Sequence, residues 1–270
     1  MGGCVAILTD YGVNDNYNGV LEAVVKSINK DVEVTYVAPA VKPFSVIPGA
    51  YLLYTSYRYF RRGTIFLVVV DPGVGTDRKA LLVRTKNYYF IGPDNGVLFP
   101  SIREDGIEKI ISIENNKFFL KKRASSTFHG RDIFAPVAAF KSLGVKDEVF
   151  GKEIGEEQIA KLEFEHRITR GRVCGKVINI DRFGDTATSI PAQLVKTSRV
   201  RVVAKGRVFD IPRVTTFSYG RPGEMIAYEN GYGFLEIGIN MGNLTDQLNL
   251  SEGDEICLEG FTQGDFSHST

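Results

Sequence analysis

Apolar positions follow two different rhythms along this chain. In the first half, short unbroken apolar runs alternate with stretches of helical spacing. Cys4–Thr9 is such a run, and Thr64–Val70 ("TIFLVVV") is the strongest one. An unbroken apolar run is what a strand covered on both faces requires. Between them, Asn18–Ile28 sets Val20, Leu21, Val24, Val25 and Ile28 on one side, which predicts an amphipathic helix. Val32–Val37 reads as a second strand and Gly49–Phe60 as a Tyr-rich helix. Ala80–Thr85 and Tyr88–Ile91 read as a hairpin around Lys86 and Asn87, and Ile133–Leu143 as a helix. Strands alternating with helices predict an α/β domain with a parallel or mixed central sheet.

The rhythm changes near residue 150. The segment "GKEIGEEQIAKLEFEHRITRGR" is charged, has no long apolar face and reads as a link. Beyond it lie short strands, Val173–Ile180, Ser198–Ala204, Val208–Ile211, Met225–Tyr228, Phe234–Ile239 and Glu255–Leu258, punctuated by turns such as Arg221-Pro222-Gly223. That spacing predicts an all-β, barrel-like domain. The expected division is therefore 1–165, 170–262 and a loose polar tail at 263–270.

Composition narrows the function classes. The chain has 270 residues, 43% apolar and 24% charged, with a net charge of +1. Such a balance gives no electrostatic reason to bind nucleic acid or an anionic membrane. No apolar run approaches the roughly 20 residues of a membrane span. The start enters an apolar strand directly, without the basic start and small-residue cleavage site of a signal peptide. Cys4, Cys174 and Cys257 are odd in number and far apart. They suggest neither a disulfide framework nor a zinc site, and the expected compartment is a reducing cytoplasm.

Three acidic residues follow predicted strands: Asp10 after "VAILT", Asp71 after "TIFLVVV" and Asp94 in "GPDNG". Ligands in open α/β sheets collect at the carboxyl ends of strands. A carboxylate there is costly unless it is paired or faces a cleft. Asp10 and Asp71 are read as site residues; Asp94 and Asn95 suit a turn equally well. His129, in "STFHGRDIFAP", precedes a predicted helix, whose N-terminal dipole would favour a neutral imidazole. Taken alone it suits packing or capping at least as well as catalysis, and His166 and His268 carry no assignment. There is no dinucleotide-binding glycine pattern, P-loop, nucleophile elbow or zinc-protease helix. Asp10, Asp71, Asp94 and His129 could instead hold a divalent metal for phosphate-ester hydrolysis.

Six motifs occur in order: "ILTDYG", "VVVDPGVGTDRK", "GPDNGVL", "STFHGRDIFAPVAA", "IDRFGD" and "GFLEIGIN". Together they resemble the S-adenosylmethionine (SAM) hydroxide adenosyltransferases, relatives of the fluorinase and chlorinase enzymes, over about residues 4–260. The resemblance implies hydrolysis of SAM to adenosine and L-methionine by water attacking C5′. It implies no metal and no other cofactor, and a homotrimer with its sites at subunit interfaces. It also implies that Asp71, Arg78 and His129 handle the water. Asp10 then takes the ribose hydroxyls and Phe44 lines the nucleoside pocket, while Phe128 and Gly130 contact the substrate. Asp181 takes the methionine amino group, Phe183 covers adenine, and Asp185, Ile239 and Met241 meet the adenine edge.

Two positions depart from the family pattern. Asp185 stands where the family has an asparagine, and an ionised Asp accepts hydrogen bonds but donates none. Gly231 replaces a serine near the methionine carboxylate. These changes leave open a protein that binds SAM or adenosine without turning it over.

Overall fold

The computed structural model of the chain describes residues 3–169 and 171–259. The expected tail at 263–270, the last residues of the expected second domain and His268 lie outside the described residues. The chain divides into two compact units, with the boundary between Glu163 and Phe164.

The first unit is α/β. Its strands are β1 (Cys4–Thr9), β2 (Glu33–Ala38), β3 (Ile65–Val69), β4 (Ala80–Thr85), β5 (Tyr89–Pro93), β6 (Ile107–Ile113) and β7 (Gly151–Ile154). They form one sheet in the order β2-β1-β3-β5-β4-β6-β7. The β2-β1-β3-β5 half is parallel, whereas β5-β4, β4-β6 and β6-β7 are antiparallel. The helices are α1 (Tyr17–Ile28), α2 (Val46–Ser56), α3 (Phe99–Asp105) and α4 (Ala135–Ser142).

Every residue of β1 and β3 is buried, so both faces of the sheet are covered. Val5, Ile7 and Leu67 share a core with Leu21 and Val25 of α1 and Val137 and Ala138 of α4. From the alternate positions, Phe66 and Phe90 stack with ring centroids 5.0 Å apart, and Tyr57, just beyond α2, meets Phe90 edge-on. One segment departs from expectation. The helix predicted from Ile133 is preceded by a single π-helical turn, Gly130–Phe134, directly after His129.

The second unit is antiparallel: β8 (His166–Thr169), β9 (Arg172–Ile180), β10 (Thr186–Pro191), β11 (Arg199–Ala204), β12 (Arg207–Pro212), β13 (Met225–Glu229), β14 (Phe234–Ile239) and β15 (Glu255–Glu259), with a short helix α5 (Leu244–Leu248). The strand path runs β12-β11-β15-β9-β10-β14-β13, with β8 on β9. Its two ends meet, because Arg213 just past β12 bridges Ala227 of β13, so the sheet is nearly closed. Val173, Val177, Val202, Ile237 and Leu258 are among the side chains that fill its interior.

Two expectations are corrected here. The charged segment 151–172 is no plain link, since β7 completes the first sheet and β8 joins the second. Both lie outermost in their pairings and are mostly exposed, so they carry charge where central strands carry apolar side chains. The cysteines are not all free. Cys174 and Cys257 face each other across β9 and β15 and form a disulfide, leaving Cys4 buried and unpaired. They are 83 positions apart, and only the strand register brings them opposite.

Candidate active site

At the carboxyl ends of β1 and β3 the first unit opens into a cavity of about 340 Å³, whose walls include Asp10, Phe44, Asp71, Phe128 and Gly130. All five were expected from sequence. Tyr11, Tyr17, Val74 and Thr127 also line it and were not anticipated. Tyr11, Tyr17 and Phe128 form an aromatic cluster with centroids 5.2–5.8 Å apart. A Cβ at Gly130 would lie 2.7 Å from the Tyr11 hydroxyl, so only glycine lets the tyrosine lie there.

Asp10 sits at the β1 exit. Its Oδ2 accepts the Phe44 N–H at 2.8 Å, and Phe44 stands in a left-handed conformation, 77% exposed. Burial raises the Asp10 carboxyl above its ordinary range; the Phe44 N–H opposes this and the nearby Asp71 charge adds to it. Asn18, read from sequence only as helical, is buried and bonds Thr9, Gly12 and Pro39, fixing the loop that presents Asp10.

Asp71 and Arg78 stand on one arch, residues 70–79, that leaves β3 and enters β4 across the end of β5. Asn95 Nδ2 donates to the Val70 carbonyl at 2.8 Å and the Asp94 N–H donates to the Lys79 carbonyl at 3.0 Å, so "GPDNG" clamps both feet of the arch. Asp94 Oδ1 itself accepts the Ala160 N–H at 2.7 Å. This favours the turn reading of Asp94 and Asn95. The Arg78 guanidinium forks onto Asp71, Nε to Oδ1 at 2.9 Å and Nη2 to Oδ2, and both side chains are at least nine-tenths buried. A paired fork of this kind compensates the burial of both charges.

Arg78 Nη2 also lies 2.8 Å from His129 Nδ1, and its guanidinium packs 5.3 Å from the Phe134 ring centre. His129 is held below its usual range first by burial and then by the Arg78 charge, with Asp71 and Asp132 opposing. The arch meets the His129 segment at Gly75. Its φ is +81°, and a Cβ there would stand 2.1 Å from the Ser126 carbonyl oxygen.

Behind this group lies a buried residue that sequence reading passed over. Asp132, in the π-helical turn, accepts the Ser125 N–H at 2.7 Å and a fork from Arg131 at 2.6 and 3.0 Å. Arg131 in turn lies 4.9 Å over the Phe128 ring. One carboxylate thus ties the 125–128 loop, the turn and the aromatic wall together. Its only signal in the sequence was the adjacent Arg131-Asp132 pair.

As for metal binding, none of the groupings of His, Cys, Asp and Glu close enough to converge on one ion, among the described residues, contains Asp10, Asp71, Asp94 or His129. Arg78 occupies the place between Asp71 and His129 that a cation would need.

The other expected substrate residues lie in the second unit. Asp181 Oδ1 accepts the N–H groups of Phe183 and Asp185, each at 2.9 Å, closing a turn that leaves Phe183 72% exposed. Asp185 is buried, and its Oδ1 has no hydrogen-bond partner among the described residues. A Cβ on Gly238 would come within 2.1 Å of that oxygen. Carboxyl oxygens of Asp181, Asp185 and Glu236 lie within 4.8 Å of one another. Burial, then Asp181 and Glu236, push Asp185 up to about 6. Glu236, not anticipated, accepts the Tyr228 hydroxyl at 2.6 Å and the Asn230 amide at 2.8 Å. Ile239 is buried, while Met241 is exposed in a left-handed conformation. Gly231 has open space where a side chain would stand.

Comparison with known proteins decides the family. The model of the SAM hydroxide adenosyltransferase N-terminal domain matches residues 5–151, and that of the C-terminal domain matches residues 175–257. The chain belongs to the SAM hydroxide adenosyltransferase family. Within it, the chain is 31% identical to a protein of Methanocaldococcus jannaschii named (R)-S-adenosyl-L-methionine hydrolase, over 93% of this chain and 94% of that one. It is 33% identical to a protein of the same name from Thermus thermophilus, over 94% and 98%. A protein of Actinopolyspora mzabensis named fluorinase is a more distant relative, 25% identical over 93% and 95%. Among solved structures, an uncharacterised conserved protein from Thermotoga maritima superposes with a TM-score of 0.86 at 39% identity, covering 94% of this chain and 99% of that one. The two-part α/β and all-β architecture is thus that of a SAM hydroxide adenosyltransferase.

Proposed function

We propose that the protein hydrolyses S-adenosyl-L-methionine to adenosine and L-methionine. The observation that carries this reading is the buried Asp71–Arg78–His129 chain ending at an aromatic-walled cavity. The bond to be broken is C5′–S of a sulfonium. Its leaving group is a neutral thioether and needs no general acid. The reaction lacks only a held, activated water in line behind C5′, which a charged group that reaches the cavity through Asp71 supplies. Asp71, Arg78 and His129 are that group. Asp10 accepts from the ribose hydroxyls, Phe44 lines the nucleoside pocket, Phe128 contacts the substrate, and Gly130 leaves room for it. In the second unit, Asp181 receives the amino group, Phe183 covers adenine, and Asp185, Ile239 and Met241 meet its edge. No metal or other cofactor takes part. The working form is a homotrimer in the cytoplasm; in a reducing compartment Cys174 and Cys257 would be thiols.

The names of the relatives extend the proposal to the (R) sulfonium epimer. The test is chromatography of purified protein incubated with each epimer. Adenosine and methionine in equal amounts, formed faster from the (R) form, are expected. No adenosine from either epimer above the uncatalysed rate refutes the reading. A second reading, binding without turnover, draws on Asp185 and Gly231. Against it, an Asp185 titrating near 6 is partly the neutral acid under mildly acidic conditions, and then both donates and accepts as asparagine does. Tight binding of SAM by calorimetry with no product would favour this second reading.

A further inference from the structure

The contact between Arg78 and His129 fixes more than distance. A guanidinium has five N–H donors and no acceptor. With Arg78 Nη2 at 2.8 Å, His129 Nδ1 must present its lone pair. A neutral imidazole with its lone pair on Nδ1 carries its hydrogen on Nε2. His129 therefore has no free lone pair with which to take a proton from water. Protonating Nδ1 would set an imidazolium against a guanidinium at hydrogen-bond distance. A second observation agrees: Asp71 lines the cavity, whereas neither Arg78 nor His129 is part of its wall. The three groups form a row that runs from the cavity through Asp71 and Arg78 to His129.

We propose that Asp71 accepts the proton of the attacking water, and that His129 is a positioning residue acting through Arg78. This rests on the reading of the protein as a SAM hydrolase. Each Asp71 oxygen accepts one Arg78 N–H and retains a second lone pair. In the step, the water oxygen bonds to C5′ and the C5′–S pair leaves on sulfur as the neutral thioether. One water proton passes to Asp71, which later releases it to solvent. A carboxylate is base enough, because the proton becomes strongly acidic only as the O–C bond forms. The charged groups facing His129 are Arg78 and Asp71 from the arch and Asp132 from the π-helical turn. Protonation of His129 at low pH breaks its bond to Arg78, so it sets the acid limb of activity without being the base.

The test compares two isosteric changes. His129→Asn keeps an oxygen that can accept from Arg78 and removes the titration. It should cost about 10-fold in kcat and flatten the acid limb of kcat/KM. Asp71→Asn should cost ~10²–10⁴-fold in kcat. Formate should restore part of the activity of Asp71→Ala, and imidazole should not restore that of His129→Ala. A loss in His129→Asn as large as in Asp71→Asn overturns the assignment. Nitrogen-15 NMR of the ligand-free protein tests the tautomer separately: hydrogen on Nε2 of His129 is expected, and hydrogen on Nδ1 refutes the proposal. Absence of turnover in the wild type refutes the hydrolase reading and with it the role of Asp71, while the nitrogen spectrum still decides the tautomer.

Discussion

Replacing Gly75 with alanine tests whether the arch and the His129 segment must touch for catalysis. The added Cβ would stand 2.1 Å from the Ser126 carbonyl oxygen, and ordinary contact begins at 3.4 Å. The two backbones must therefore part by more than about 1 Å. A misplacement of about 1 Å at a reacting centre costs on the order of 10²-fold in rate, so kcat/KM for SAM should fall about 100-fold. Alanine at a left-handed φ adds ~1 kcal/mol of strain, which in a chain of this size lowers Tm by ~2–4 °C. Gly63→Ala separates the two effects. Its φ is +82° but nothing lies within 4 Å of the added carbon. It should lose similar thermal stability and keep full activity. The assay is adenosine release by chromatography beside thermal denaturation of each variant. If Gly75→Ala keeps kcat/KM within about threefold of wild type, contact at Ser126 does not position the catalytic group.

Three other changes follow from the same geometry. Asp185→Asn should be more stable than wild type at pH 7.5 but not at pH 4.5, the Tm gap widening by ~3–5 °C. The sign follows from the raised carboxyl: its favourable contribution is complete below its ordinary value of 3.8 and is lost as pH rises through about 6. A gap independent of pH would mean that Asp185 is ionised throughout. Asp132→Ala strands the Ser125 N–H and the Arg131 fork, which should cost about 2–4 kcal/mol in a denaturant titration. It should also raise KM as Phe128 loses its covering guanidinium; unchanged stability would refute the tie. Asp10→Ala removes a charged acceptor from the ribose and from the Phe44 N–H. It should raise KM by ~10–100-fold, with a smaller effect on kcat, in steady-state assays; an unchanged KM would remove Asp10 from the substrate.

Elements with a strong two-sided apolar signal were legible. β1 and β3 and the inward side of α1 sit within a residue or so of their expected bounds. β10 was missed because its buried positions include Thr186, Thr188 and Ser189, polar side chains that give no hydropathy signal. β7 and β8 were missed for the opposite reason, since they are charged and largely exposed. Within the cavity, Asp10, Asp71, Phe128 and Gly130 could be named because strand ends and family motifs marked them. Tyr11 and Tyr17 could not, because a tyrosine beside a turn has many uses. The role of Asp132 was hidden by its partners. Only the π-helical turn swings its carboxylate onto Ser125 and Arg131, and no spacing rule anticipates such a turn.

The arch over β5 is anchored through its backbone. Both feet are clamped by backbone-directed bonds from Asp94 and Asn95, and its middle touches the His129 segment at a glycine. Between those points Asp71 and Arg78 pair with each other, and Arg78 reaches on to His129 and Phe134. It is a frame: the proposed water-handling pair, Asp71 and Arg78, is held in place by backbone anchored on either side of it. Proteins named as hydrolase and as fluorinase are both similar to this chain over nearly their whole lengths. For redesign of the proposed water-handling pair, positions 71 and 78 are the ones to vary, with 75, 94 and 95 held constant so that the frame keeps its shape.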